Sequence, residues 1–357
     1  MIKRATAVML SVIGGVVFLV FGADISAGIR SGVSICGEVV IPSLFPFMIL
    51  SEFIALSGAA DMLSRPLGPF AKRVFGLKKS AAAPIFLSFI SGYPVGASLA
   101  KKLYDGGKIT RNDAEKMLTF TVNSSPAMII FAVGAGMLGS KEYGYLLLTV
   151  HITASVINGI LFSRILLKPA YKKGKKRKNS DRENKNSISP FKKGAVHYNI
   201  ADAFVNATAD ASVSMLKICG CVILFAGIVS ILDSRSIFAM IFEVTVGCKA
   251  AVRNGINMVA AVLGFGGISV IMQVMTVSDG LIRPQILVLS RLTHAAISYG
   301  LCSAAIRLIP ERTVAVLSTG LPQLNGFSSV TAPASAALLL LSAVVMFSAK
   351  IADSKVL

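Results

Sequence analysis

The sequence contains no tryptophan and little charge. Only 15% of its 357 residues are charged, against about 25% in an ordinary soluble domain. Acid is scarcest, with 17 Asp and Glu beside 36 Lys and Arg. No CxxC pair occurs, and four of the five cysteines (Cys36, Cys219, Cys221, Cys248 and Cys302) lie in apolar stretches. That pattern excludes a thiolate metal site or a disulfide framework and leaves small packing residues. Three histidines without ligand spacing give no metal site. No P-loop and no nucleophile–base pair is present, so an ATPase or other enzyme is not expected, and neither is a cofactor.

Apolar residues dominate. They make up 54% of the chain, with a mean hydropathy of +0.73. Stretches of about 20 apolar residues are long enough to cross the hydrocarbon core as helices. They are continuous rather than alternating, which excludes barrel strands. The expected class is an all-α polytopic membrane protein of about seven spans, near 5–23, 32–58, 117–139, 143–167, 211–232, 284–309 and 333–349. The net charge of +19 does not point to nucleic acid, because eleven of the 36 basic residues fall between Lys168 and Lys193 beside two acids. Such a segment marks the cytoplasmic face. Residues 168–200 read as a disordered basic linker between a first membrane half, 1–167, and a second, 201–357. Its charge serves as a topology anchor, or as a contact for anionic lipid. Lys3 and Arg4 before the first apolar run predict a retained first helix that starts in the cytoplasm.

Residues 81–100, AAAPIFLSFISGYPVGASLA, are apolar, yet both flanks are basic. A full span would put the 168–200 linker outside. The turn signal Ser91-Gly92-Tyr93-Pro94 instead predicts a re-entrant helical hairpin. The second half resembles the first. Ser31–Gly37 matches Ser214–Gly220, 183 positions on, and the Ser91-Gly92 turn matches Gly266-Gly267 in a second expected hairpin at 256–278. The halves then run in opposite senses, the inverted-repeat plan of many secondary transporters.

The breaks supply the candidate site. Unpaired backbone survives at membrane depth only inside protein or a wet cavity, and a half-helix N-terminus offers free N–H groups to an anion. Ser91, Gly92, Tyr93 and Gly96 are expected at the first tip, and Gly264, Gly266, Gly267, Ser269 and Gln273 at the second. Asn123, Ser124 and Ser125 precede the helix-breaking Pro126 in the middle of a span. Arg291 is expected in the outer part of its span, available to an anionic solute. Glu38, Glu52 and Glu243 are intramembrane carboxyl candidates. His151 and His294 share a spacing with Arg164 and Arg307, but their spans do not correspond in the repeat register above, so the spacing reads as chance.

At IPSLFPFMILSE (41–52), FISGYPVGASL (89–99), NSSPAMII (123–130), FEVTVG (242–247) and GFGGISVIMQ (264–273), the chain resembles the YlbJ family of sporulation integral membrane proteins, which carry a nucleoside-recognition Gate domain. The resemblance implies a multi-pass protein of the bacterial cell membrane, placed in the outer forespore membrane, that moves dipicolinic acid toward the developing spore by alternating access. It also leaves open a nucleoside-like solute, a scaffold role in spore assembly, and a homo-oligomer.

Overall fold

The computed structural model describes residues 2–167, 199–231 and 237–308, and these are almost wholly helical. The expected span 333–349 and nearly all of the 168–200 linker lie outside the described residues. Among the described residues, five helical stretches are long and apolar enough to cross a membrane: Gly22–Leu56, Lys141–Leu166, Ile200–Ile231, Ile256–Ser278 and Pro284–Leu308. A sixth stretch, Ala59–Phe75 with Lys79–Ser91, is bent by 106°.

Helix α1 (Ile2–Val20) occupies the first expected span. Next, α2 (Gly22–Ile35) runs through a π-helical turn, Cys36–Val40, into α3 (Ile41–Leu56). Pro42 and Pro46 lack the N–H groups a regular helix would pair, and the wide turn sits directly before them. Helix α4 (Ala59–Phe70) and a π-helical end, Ala71–Phe75, lie where a basic loop was expected. Arg164 closes that end by donating to the carbonyls of Lys72, Arg73 and Val74.

Then comes the hairpin, α5 (Ala82–Ser91) and α6 (Val95–Asp105). The chain does fold back. Ser80 Oγ donates to the Lys108 carbonyl at 3.3 Å, so the two ends of the hairpin are neighbours. A methyl group on Gly96 would meet Ser88 Cβ at 3.0 Å and run into the Thr121 carbonyl.

The expected span 117–139 is not continuous. Helix α7 (Arg111–Leu118) starts on a capping box between Thr110 and Asp113. It ends in an irregular stretch, 119–125, followed by a π-helical segment, Met128–Met137. Two short-range effects stop the helix. Pro126 disfavours helical geometry at Ser125, and Thr119, Thr121 and Asn123 bond back to the carbonyls of Lys116, Met117 and Phe120. Helix α8 (Lys141–Ile160), extended to Leu166, closes this half.

The second half opens with α9 (Ile200–Ile231), followed by α10 (Ile237–Phe242) and α11 (Val244–Ala251). Here the structure corrects the sequence reading. The hairpin of this half is α10–α11, with Glu243 at its tip. A methyl group on Gly247 would sit 2.9 Å from Met240 Cα, so the arms lie together. The expected hairpin 256–278 is instead one apolar stretch, α12 (Ile256–Phe265) and α13 (Gly267–Ser278), whose parts do not pack on each other. The Gly266-Gly267 pair has positive φ, 83° and 88°. Such residues end a run of helical hydrogen bonds, and they do so here without reversing the chain. Helix α14 (Pro284–Leu308) completes the described fold.

Each half thus orders its parts alike: a long helix, a hairpin, a broken stretch and a second long helix. The two Ser-x5-Gly motifs meet. Cys36 Sγ lies 3.8 Å from the Cys219 carbonyl, and Gly32 lets α2 approach Ile223 of α9. Gly28 packs at Ala226 and Ser230, so these helices are antiparallel. Helices α8 and α14 also cross in opposite senses, with His151 at His294 and Asn158 at Ser290.

Candidate functional site

The first tip is tightly held. Ser91 Oγ contacts Ser51 Oγ and donates to the Phe47 carbonyl at 3.2 Å. Gly92 has φ of 78°, and a methyl group there would stand 2.9 Å from Leu44 and 3.1 Å from Ser125. Conformation and space both demand glycine. Gly92→Ala is therefore expected to lower thermal stability in detergent by about 1–3 kcal/mol, through overpacking and left-handed strain. Gly107→Ala, with φ of 68° and nothing near its added methyl, supplies the control for strain without the clash.

Tyr93 follows, joined to Pro94 by a cis peptide. Its hydroxyl pairs with Ser124 Oγ at 2.7 Å. Its ring would lie 3.8 Å from a methyl group on Gly266. The first hairpin tip therefore touches the irregular stretch of its own half and the break of the other half. Each hairpin tip also meets its own broken stretch. Gly92 abuts Ser125, and a methyl group on Gly267 would lie 3.2 Å from Glu243 Cα.

The irregular stretch 119–125 exposes carbonyls that have no helical partner, and side chains from α8 and α14 satisfy them. Ser155 donates to Phe120 O at 2.6 Å, and Asn158 to Thr119 O at 2.8 Å. Arg291 donates to Thr119 O at 2.7 Å and to Val122 O. The amide of Ser124 donates to His151 Nε2 at 3.2 Å. Ser125 Oγ accepts from Met128 N and so starts the π-helical segment. Non-helical backbone at membrane depth needs such compensation.

Arg291 lies in the first third of α14 and faces the protein interior. It is 1% exposed, with both terminal nitrogens engaged by backbone. The histidine spacing is also more than coincidence. The His151 and His294 rings lie 4.7 Å apart between centroids, and His294 Nε2 is 3.2 Å from the His151 carbonyl. Shifting by 143 positions would have exposed this, since it carries His151 to His294, Ser155 to Ser298 and the 123–125 break to 266–268.

Ser269 and Gln273 lie on α13 and bond to each other, Nε2 to Oγ, at 3.1 Å. Both are buried. Among the described residues, Asn123 Oδ1, Gln273 Oε1, Arg291 Nε and the Nδ1 atoms of His151 and His294 lack a hydrogen-bond partner. Glu243, 1% exposed, turns its carboxyl onto its own helix, accepting from Val246 N at 2.8 Å. The second hairpin tip is thus capped by a side chain of the chain itself, whereas Pro94 gives α6 no side-chain cap. Glu38 lies elsewhere, on the π turn, held by Ser34 at 2.7 Å. Glu52 is buried against Lys102.

The two ends of the molecule differ. At the linker end, Lys102 joins Glu52 to Asp210 of α9, Lys101 pairs with Asp105, and Arg283 pairs with Glu115 at 2.8 Å. Hydrogen bonding to Glu115 holds the Arg283 guanidinium above its ordinary pKa. At the opposite end, a cleft of about 1660 Å³ opens between α2–α3, the π-helical segment Met128–Met137, α9 and α11. It reaches Phe47, Ala127 and Thr245, beside the tips.

Helical hairpins, broken apolar stretches and a buried polar junction define an all-α polytopic membrane protein of transporter-like build. A family model described as Gate, nucleoside recognition, matches residues 38–141, which include the first hairpin and the 119–125 break. The sporulation integral membrane protein YlbJ of Bacillus subtilis (strain 168) is 26% identical over 286 residues, 69% of this chain and 68% of that protein. These two matches bear out the resemblance to the YlbJ family read from the motifs. No solved structure matches the chain.

Proposed function

We propose that the chain carries a small anionic solute across the membrane by alternating access, with dipicolinic acid as the substrate, in the outer forespore membrane. The observation that carries this reading is the junction itself. Tyr93 of one half meets Gly266 of the other near a cleft lined by residues of both halves. The two halves act as inverted repeats, and their antiparallel crossings at Cys36–Cys219 and His151–His294 form the frame. The basic linker joins the end of α8 to the start of α9. The positive-inside rule places that end in the cytoplasm, and the cleft then faces the other side.

The solute would bind among Ser91, Gly92, Tyr93, Asn123, Ser124, Ser125, Gly266, Gly267, Ser269 and Gln273. Arg291 shapes the site by holding the break. The α6 N-terminus receives the anion. A planar ring fits against Tyr93.

A nucleoside-like solute is the second reading, supported by the description of the Gate family. Uptake into proteoliposomes with dipicolinate and uridine in competition separates the two. Dipicolinate uptake that uridine does not reduce is the expected result. Uridine uptake that dipicolinate leaves untouched would reassign the substrate. Tyr93→Phe removes the bond to Ser124 and keeps the ring. It is expected to raise the half-saturating concentration about fivefold or more, the loss of roughly one hydrogen bond.

A further inference from the structure

We infer that the cleft is an electropositive vestibule in which Lys249 and Arg253 concentrate carboxylate-bearing solutes beside the tips. The inference deepens the transport reading and rests on it for its biological meaning. Both side chains line the cleft from the outer arm of the second hairpin, where α11 passes into its last turn. They are four positions apart, Lys249 in α11 and Arg253 in the 3-10 turn, Val252–Asn254, that follows it. Both are exposed.

The opposite wall carries one carboxylate, Glu38, next to Ser34 and Ser31. Ser34 donates to Glu38 at 2.7 Å, which holds the carboxylate against its own helix. Two cations thus stand against one anion. The remaining wall is mostly apolar: Pro42, Phe47 and Phe131 among others. Low-dielectric walls focus the field of such charges into the opening and raise the local concentration of the opposite charge. The cations stand on the hairpin whose tip is already capped by Glu243. An anion drawn in by them is therefore not held at the α11 N-terminus.

Ser43 is half-buried in the same cleft, and Ser43→Cys reports the local potential without any need for transport. The reagents are the sulfonatoethyl (anionic) and trimethylammonium-ethyl (cationic) methanethiosulfonates, with the unsubstituted chain giving the background of its native cysteines. Relative to a free thiol in solution, the anionic reagent is expected to be favoured about threefold or more at the introduced thiol. Adding Lys249→Gln and Arg253→Gln should abolish or invert that preference, and adding Glu38→Gln should increase it. A ratio equal to that of the free thiol in all three backgrounds overturns the proposal.

An anionic lipid headgroup would seek the same cations. Labelling of the Ser43→Cys chain in phosphatidylcholine vesicles with and without phosphatidylglycerol separates the sources. Rates independent of phosphatidylglycerol support a soluble solute. Protection of the introduced thiol against both reagents only when phosphatidylglycerol is present overturns it. Loss of dipicolinate uptake in every background, with the charge preference intact, would sink the transport reading and leave the vestibule standing.

Discussion

Arg291→Met is expected to destabilise the fold. The wild-type guanidinium spans the end of α7 and donates to Thr119 O and Val122 O. Those carbonyls face no helical donor, because the chain leaves helical geometry at 119. Methionine keeps most of the volume and removes every donor. Thr119 O keeps the Asn158 amide as a donor at 2.8 Å, so the one carbonyl left unpaired is Val122 O, at a cost of about 1–3 kcal/mol. Removing a buried charge returns part of this. The net result should still be a fall in melting temperature in detergent, with Arg291→Lys between wild type and Met. If Met proved as stable as wild type while uptake vanished, Arg291 would be a solute ligand and not the brace of the break.

Lys102→Met should open the linker end. Lys102 of α6 bridges Glu52 on α3, which is 3% exposed, and Asp210 on α9, 3.3 Å away. Without it, the Glu52 carboxylate keeps Ser98 at 3.2 Å as a partner. Breaking one side of a buried pair costs about 3–5 kcal/mol. On the proposed alternating-access reading the cost falls on the state whose linker end is closed, so the balance shifts toward its opening. The thiol introduced by Ser98→Cys should then react faster with a reagent applied from the linker side. Glu52→Gln in the Lys102→Met background should restore slow labelling, because no uncompensated charge remains. Equal rates in all variants would show that the ion pairs do not hold the end shut.

The sequence and the structure agree where local chemistry is strong. Ser91-Gly92-Tyr93-Pro94 announces a reversal, and the hairpin is there. The apolar stretches at 5–23, 143–167 and 284–309 lie within a few residues of observed helices, whereas those at 32–58 and 211–232 begin well inside helices that start at Gly22 and Ile200. The π-helical segment after Pro126 and the irregular 119–125 stretch were legible only as a polar mid-span motif. Tertiary hydrogen bonds from α8 and α14 stabilise that stretch, and no local window contains them.

The second half misled for a related reason. Gly266-Gly267 looks like a turn, but left-handed glycines end a helix as readily as they reverse it. The true reversal at Glu243 has neither glycine nor proline, and its one signal is an acidic N-cap, Glu243 before Val246. With the wrong break paired to Ser91, the histidines fell out of register, and their meeting at 4.7 Å went unread.

That meeting point has a mechanical meaning. At a crossing of two oppositely directed rods, rotation moves the ends far and the centre hardly at all. His151 with His294 marks one such centre, and Cys36 with Cys219 another. A rocking motion about the line joining them would swing both mouths by many ångströms while these four side chains kept their neighbours. The molecule would then change the face it presents without dismantling the contacts at its waist.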